Sequence, residues 1–164
     1  MTLIGEYPGG VAVAQKSGST FSQTVTVTKD IAAPVEVVWA LLTDAGGFPA
    51  WNTTVTSIDG PIELGRPLRI MVPVSKRAFT PKVSAMQAPT SMTWSDGRAP
   101  MFTGSRVFQL SSTSTGTRFT MTETFKGVMF PMIKRTLPDF VPIFDQYAAD
   151  LAAAAEQRAQ EHDR

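Results

Sequence analysis

The chain has 164 residues, 43% of them hydrophobic and 18% charged, with a formal net charge of +1, one histidine and no cysteine. That length and balance describe one domain able to bury a substantial core, and they exclude a disordered chain. Without cysteine there is no disulfide framework, thiol nucleophile or zinc–thiolate site, and scattered Lys and Arg leave no electrostatic footprint for nucleic acid or an anionic membrane.

The opening stretch MTLIGEYPGGVAVAQ lacks a basic start, and its longest apolar run, Val11 to Ala14, is shorter than the ~7–15 residues of a signal-peptide core. No segment approaches the ~20 apolar residues of a membrane span. The reading is a soluble, cytoplasmic protein. Residues 1–20, broken by Pro8-Gly9-Gly10 and Ser17-Gly18-Ser19, read as an N-terminal extension with a short strand at Val11–Gln15, and residues 21–161 as the domain. From Phe21 to Lys29 apolar and polar residues alternate, with Phe21, Gln23, Val25 and Val27 on one face, as in a strand with one wet side.

A helix follows Pro34, with Glu36 at its positive end and Val37, Val38, Leu41 and Leu42 as its apolar stripe. Gly46, Gly47 and Pro49 stop it near Asp44, and a short helical turn fits Phe48–Trp51. Strands are expected near 53–59, 67–74, 78–87, 90–96, 102–111 and 117–126, seven with the first, each closed by Gly or Pro as in an antiparallel meander. The last segment, roughly 129–161, is helical, with Leu137, Phe140, Val141, Phe144, Ala148, Leu151 and Ala155 on one stripe. Pro138 and Pro142 delay the continuous helix to about residues 142–160. A sheet with helices on one face is an α+β layer architecture, and only the last helix is long enough to cover it.

Several motifs in this order resemble the SRPBCC superfamily (START and Bet v 1-like domains). They are Ile31-Ala-Ala-Pro34-Val-Glu36-Val-Val-Trp39-Ala-Leu-Leu-Thr43-Asp44, then Phe48-Pro49-Ala50-Trp51-Asn52, Gly60-Pro-Ile-Glu-Leu-Gly65, Gly104-Ser-Arg106-Val-Phe108-Gln-Leu110, Gly116-Thr117 and Glu123-Thr-Phe125-Lys-Gly127. The resemblance covers about residues 21–160. It implies a helix-grip fold, a curved seven-stranded antiparallel sheet around a long C-terminal helix, with a cavity for hydrophobic ligands between them. It does not imply one activity, because lipid carriers, hormone receptors, polyketide cyclases and chaperone regulators share the fold.

The hairpin GSRVFQLSSTSTGTRFTMTETF, residues 104–125, carries charge on its apolar side. A turn centred between Ser114 and Thr115 opposes Leu110 to Phe119, Phe108 to Met121 and Arg106 to Glu123, all on one face. The opposite face, with Ser105, Val107, Gln109, Thr120, Thr122 and Thr124, suits water. The pair is then either a structural ion pair that fixes register or the polar anchor of a ligand pocket. Some START lipid carriers hold an acid–arginine pair in their tunnel, which the resemblance carries to these two positions.

By the same parity, lining candidates are Leu68, Ile70, Val72 and Val74; Phe79, Val83 and Ala85; Met92 and Trp94; Phe102; and, from the last helix, Phe140, Phe144, Tyr147 or Ala148 and Leu151. The ligand-binding set selected from these and the hairpin is Arg106, Glu123, Trp94, Phe79, Phe102, Phe108, Met121, Phe144 and Tyr147. Trp51 and Asn52 read as a structural turn, Trp51 beneath the first helix and Asn52 bonded to local backbone. His162 lies in a polar tail, so no triad, metal site or cofactor is expected. Acid–base candidates are Glu123, Arg106, Asp59, Asp96, Tyr147 and Tyr7; of the carboxylates only Glu123 is argued inside, and an acid tied to arginine is a poor proton donor. No catalytic residue is assigned. The function expected is binding, and carriage, of a lipid- or polyketide-like molecule, without nucleic acid or stable membrane insertion, by a monomer or homodimer. A cyclase/dehydratase-like enzyme and a protein-interaction module are the alternatives.

Overall fold

A computed structural model describes residues 13–164. Tyr7 and the first two residues of the expected strand at Val11–Gln15 lie outside the described residues. Within them the chain forms β1 (Gln15–Ser19), β2 (Ser22–Ile31), α1 (Val35–Thr43), α2 (Phe48–Trp51), β3 (Ser57–Asp59), β4 (Arg69–Met71), β5 (Lys82–Gln87), β6 (Ser91–Arg98), β7 (Phe102–Thr113), β8 (Gly116–Lys126), α3 (Phe130–Ile133) and α4 (Phe140–His162).

The fold class is the expected α+β helix grip, but the strands divide differently. Six form one antiparallel sheet in the order β1-β2-β8-β7-β6-β5, and β3 and β4 form a separate pair. Pro67 and Pro81 have no N–H to give a ladder, and they interrupt it between β4 and β5. The two sheets remain joined across that gap. Ile70 and Phe79 exchange backbone bonds of 2.7 and 2.9 Å, and Val83 N donates to Arg66 O at 3.0 Å. At the other edge β1, inside the stretch read as an extension, pairs along its length with β2. Its residues are all exposed and polar, which suits a sheet edge.

Alternation sorts the two faces. Val25, Val27, Met92, Trp94, Phe108, Leu110, Phe119 and Met121 point inward and are buried. The outer face of β2 and β8 carries threonine pairs, Thr24–Thr124, Thr26–Thr122 and Thr28–Thr120, with hydroxyls 3.2–3.3 Å apart. Phe21, read as inward, instead sits in the turn between β1 and β2 and is exposed.

Helix α4 runs as one element from Phe140, with Asp139 capping Val141 N at 3.2 Å. Pro142 falls in the first turn, where its missing N–H is not needed, so the helix begins two residues earlier than expected. Its buried stripe is Phe140, Phe144, Tyr147, Ala148, Leu151, Ala152 and Ala155. The small residues of that stripe let α4 lie close against β2 and α1.

Leu151 is completely buried at the centre of this layer. Leu151→Ala is expected to cost about 2–5 kcal/mol in chemical denaturation. The chain lacking residues 140–164 is expected to lose cooperative unfolding altogether; cooperative melting at an unchanged temperature would contradict this account of the core.

Candidate ligand site

The β7–β8 hairpin closes through Ser114-Thr115, with Thr113 opposite Gly116, and its register opposes Leu110 to Phe119, Phe108 to Met121 and Arg106 to Glu123. The expected register therefore holds throughout. Arg106 Nε donates to Glu123 Oε2. The Arg106 guanidinium also lies 5.2 Å from the centroid of the Phe144 ring on α4, a cation–π contact. The two charged side chains keep 20% and 13% of their surface exposed. Beyond them towards the hairpin turn, Phe108, Leu110, Phe119 and Met121 are sealed. The end where β7 begins and β8 finishes is thus the more exposed, open end of this face, although Phe125 and Phe140 there are buried.

Behind the pair lies a cluster of rings centred on Tyr147, which is fully buried. Tyr147 stacks on Phe119 at 6.3 Å, meets Trp51 edge-on at 6.0 Å, and packs at 6.4 Å against both Phe48 and Phe108. Trp94 meets Phe108 at 4.7 Å and sits opposite Arg106 across the β6–β7 ladder. Nearer the open end, Phe125 stacks on Phe102 at 6.0 Å and on Phe140 at 5.3 Å.

Four polar atoms in this region are buried with no hydrogen-bond partner among the described residues: Trp51 Nε1, Asn52 Nδ2, Trp94 Nε1 and Tyr147 Oη. An unmet donor in an apolar interior typically costs about 1–3 kcal/mol, so four together are large against a marginal total stability. Two indole N–H groups and an amide NH2 can only donate. Burial pushes the Tyr147 phenol up, with Arg106 opposing and Glu123 reinforcing that shift, so it too stays protonated and can donate.

The nine candidate residues divide accordingly. Arg106, Glu123, Trp94, Phe108, Met121, Phe144 and Tyr147 lie on the inner face or on α4 against it, and Phe102 sits half-buried at its open end. Phe79 does not join them. It is 40% exposed and occupied in the bridge to Ile70, beyond the ladder break at Pro81. Two other lining candidates are also corrected. Val74 is exposed in the loop after β4. A bulge between Val83 and Ala85 shifts the parity of β5, leaving Ala85 exposed and setting Met86 opposite Met92.

From the sequence, Trp51 and Asn52 read as a structural turn. Asn52 Oδ1 does hold the local turn, accepting from Thr54 N at 2.9 Å and Thr54 Oγ1 at 2.7 Å, but its amide nitrogen has no partner. Trp51 lies tilted against Phe48 and edge-on to Tyr147. Their signals were composition, two polar-headed residues ending an otherwise apolar helical turn, and the Phe48–Asn52 motif of the resemblance. Among the described residues no group of three or more His, Cys, Asp or Glu is placed to hold a metal.

The sequence profile of a family described as polyketide cyclase/dehydrase and lipid transport matches residues 22–156. No curated protein matches. Solved structures are similar in fold. A Mesorhizobium loti protein is 20% identical, with a TM-score of 0.65 over 82% of this chain and 97% of its own. A Staphylococcus aureus protein of unknown function is 14% identical, with a TM-score of 0.64 over 85% of this chain and 96% of its own. The di-domain ARO/CYC StfQ of the steffimycin biosynthetic pathway is 11% identical, with a TM-score of 0.63 over 86% of this chain and 53% of its own.

Breaking a fully buried ion pair typically costs ~3–5 kcal/mol, whereas replacing both partners by apolar groups can be neutral. This pair is partly exposed, so Arg106→Met is expected to cost about 2–3 kcal/mol. Glu123→Leu should cost less, because Arg106 keeps its contact with Phe144. Arg106→Met/Glu123→Leu should recover most of the loss in urea titrations. Strict additivity would show that the pair carries no coupling.

Proposed function

The chain belongs to the polyketide cyclase/dehydrase and lipid transport family, and from that premise we propose that it binds, and carries, an amphipathic small molecule whose polar end is rich in acceptor oxygens. The observation that supports this most is the set of buried, unpartnered donors around Tyr147 and Trp94. Pockets for small molecules are apolar with a few placed polar groups, and this inner face has that composition. Carbonyl or carboxylate oxygens would satisfy donors that nothing among the described residues satisfies.

In this reading the rings of Phe108, Phe119, Phe144 and Tyr147 hold the apolar body. Trp94 Nε1 and Tyr147 Oη donate to the oxygens, Trp51 Nε1 and Asn52 Nδ2 reach a second polar point, and Arg106 holds an anionic or carbonyl end. Glu123 fixes the guanidinium in place. The role is binding without chemistry, since Glu123 is engaged by Arg106 and the Tyr147 phenol holds its proton too firmly to act as a base.

Protein purified from its own cells and sprayed under native conditions is expected to retain an oxygenated lipid, quinone or polyketide. Across a panel of fatty acids, quinones and aromatic polyketides, saturable micromolar binding should quench or shift tryptophan emission, and Trp94→Phe should remove most of that signal. Each acceptor oxygen deleted from the ligand should weaken binding about fivefold, the worth of one hydrogen bond. Equal affinity for the parent hydrocarbons, or no saturable binding, would overturn the assignment.

A further inference from the structure

Three turns meet at the open end of the six-stranded sheet. Gly127 N donates to Phe21 O, Val128 N to Pro100 O and Met129 N to Met101 O, at 3.0, 3.0 and 2.9 Å. The approach is close enough to require glycine, for Gly127 has φ +141° and a Cβ there would fall 2.3 Å from Met101 O. The bonds gather side chains that are far apart in sequence. Phe21, Met101, Val128 and Met132 are each more than half exposed, and a shallow cleft of about 310 Å³ runs between Phe21, Pro100 and Val128.

Cations surround this apolar tip. Lys126 lines the cleft, Arg98 precedes the turn that carries Met101, and Lys134 and Arg135 follow Met132. All four are exposed, and among the described residues none takes part in an ion pair. Asp96 and Asp139 are the nearby carboxylates, and each is turned to local backbone, Asp96 to Gly97 N and Asp139 to Val141 N. Charges that look scattered along the sequence are thus collected by folding at one end.

We propose that this end docks on the surface of an anionic phospholipid bilayer. Phe21, Met101, Val128 and Met132 enter the boundary between headgroups and acyl chains, and the four free cations contact the phosphates. Exposed apolar residues ringed by Lys and Arg bind such surfaces through both terms together. No helix among the described residues is long and apolar enough to cross a membrane, so the attachment is peripheral and reversible. The surface lies at the more exposed end of the inner face, Phe102 being four residues from Arg106 on β7, or about 13 Å. Docking would therefore set the pocket against its source of apolar ligand. That last consequence rests on the proposed function, but the docking does not.

The test is co-sedimentation of the full chain with phosphatidylcholine vesicles, with and without about 30% phosphatidylglycerol. Binding is expected only to the anionic vesicles and should fall as salt rises. Lys134→Gln/Arg135→Gln should weaken it about 25-fold, at roughly fivefold per cation. Val128→Asp/Met132→Asp should abolish it with an unchanged melting temperature. Four outcomes would each overturn the proposal: no binding at low salt, equal binding to neutral vesicles, indifference to both double substitutions, or a dimer in solution that Val128→Asp/Met132→Asp dissolves without any vesicle binding. None of these depends on whether a ligand occupies the interior, so the two readings fail separately.

Discussion

An arginine and a glutamate turned towards an apolar interior must find each other, and that requirement constrains the whole inner face. A slip of one residue between β7 and β8 would put their faces out of step, leaving one charge inside and carrying the other to the wet face with the apolar residues of its own strand. A slip of two would leave them diagonal, with the charge less well met. The two-residue turn at Ser114-Thr115 and the ion pair therefore specify the same register from opposite ends of the hairpin. Because β8 also pairs with β2 over ten residues, and β7 with β6 over eight, that register propagates through the sheet.

Helix α4 completes the arrangement and is itself pinned by polar contacts. Its carboxylates collect backbone donors from three distant segments: Asp145 from Ala14 at 2.6 Å, Asp150 from Thr53 at 2.8 Å, and Glu156 from Ala32 at 3.0 Å. Each contact answers an N–H that the sheet does not use, and together they set the rotation of the helix. Phe144 is then held against Arg106, and Tyr147 between the rings of Phe119 and Trp51. The side chains that meet a ligand in this account stand on long regular elements, except Trp51 and Asn52, which come from the last residue of the short helix α2 and its C-cap.

Much of this was legible in the sequence where a strict period governs the chain. Alternation placed β2, β6, β7 and β8 and the opposed charges, and the helical stripe placed Phe144 and Leu151. Legibility failed where a local event breaks the period. Pro67 and Pro81 divide one expected sheet into two, an extra residue in β5 turns Ala85 outward, and a two-residue turn removes Phe21 from the face its parity implied. The placement of the candidate lining residues was legible by the same rule, since eight of the nine lie along uninterrupted elements. Unmet donors were not legible at all. Whether the Trp94 indole finds a partner depends on side chains from β6, β7 and α4 at once, and no spacing in the chain encodes that.

The central claim is that the buried indoles of Trp94 and Trp51 exist to donate to a ligand. Trp39 supplies an internal control: it lies half-buried on α1, and its indole is not among the buried, unpartnered donors. Indole N–H resonances of ¹⁵N-labelled protein, assigned with Trp→Phe variants, report each donor directly. Titration with an oxygen-bearing ligand should move the Trp94 and Trp51 resonances downfield together, with one saturation curve, and leave Trp39 in place. Saturable binding that leaves the Trp94 and Trp51 N–H signals unmoved would contradict the account.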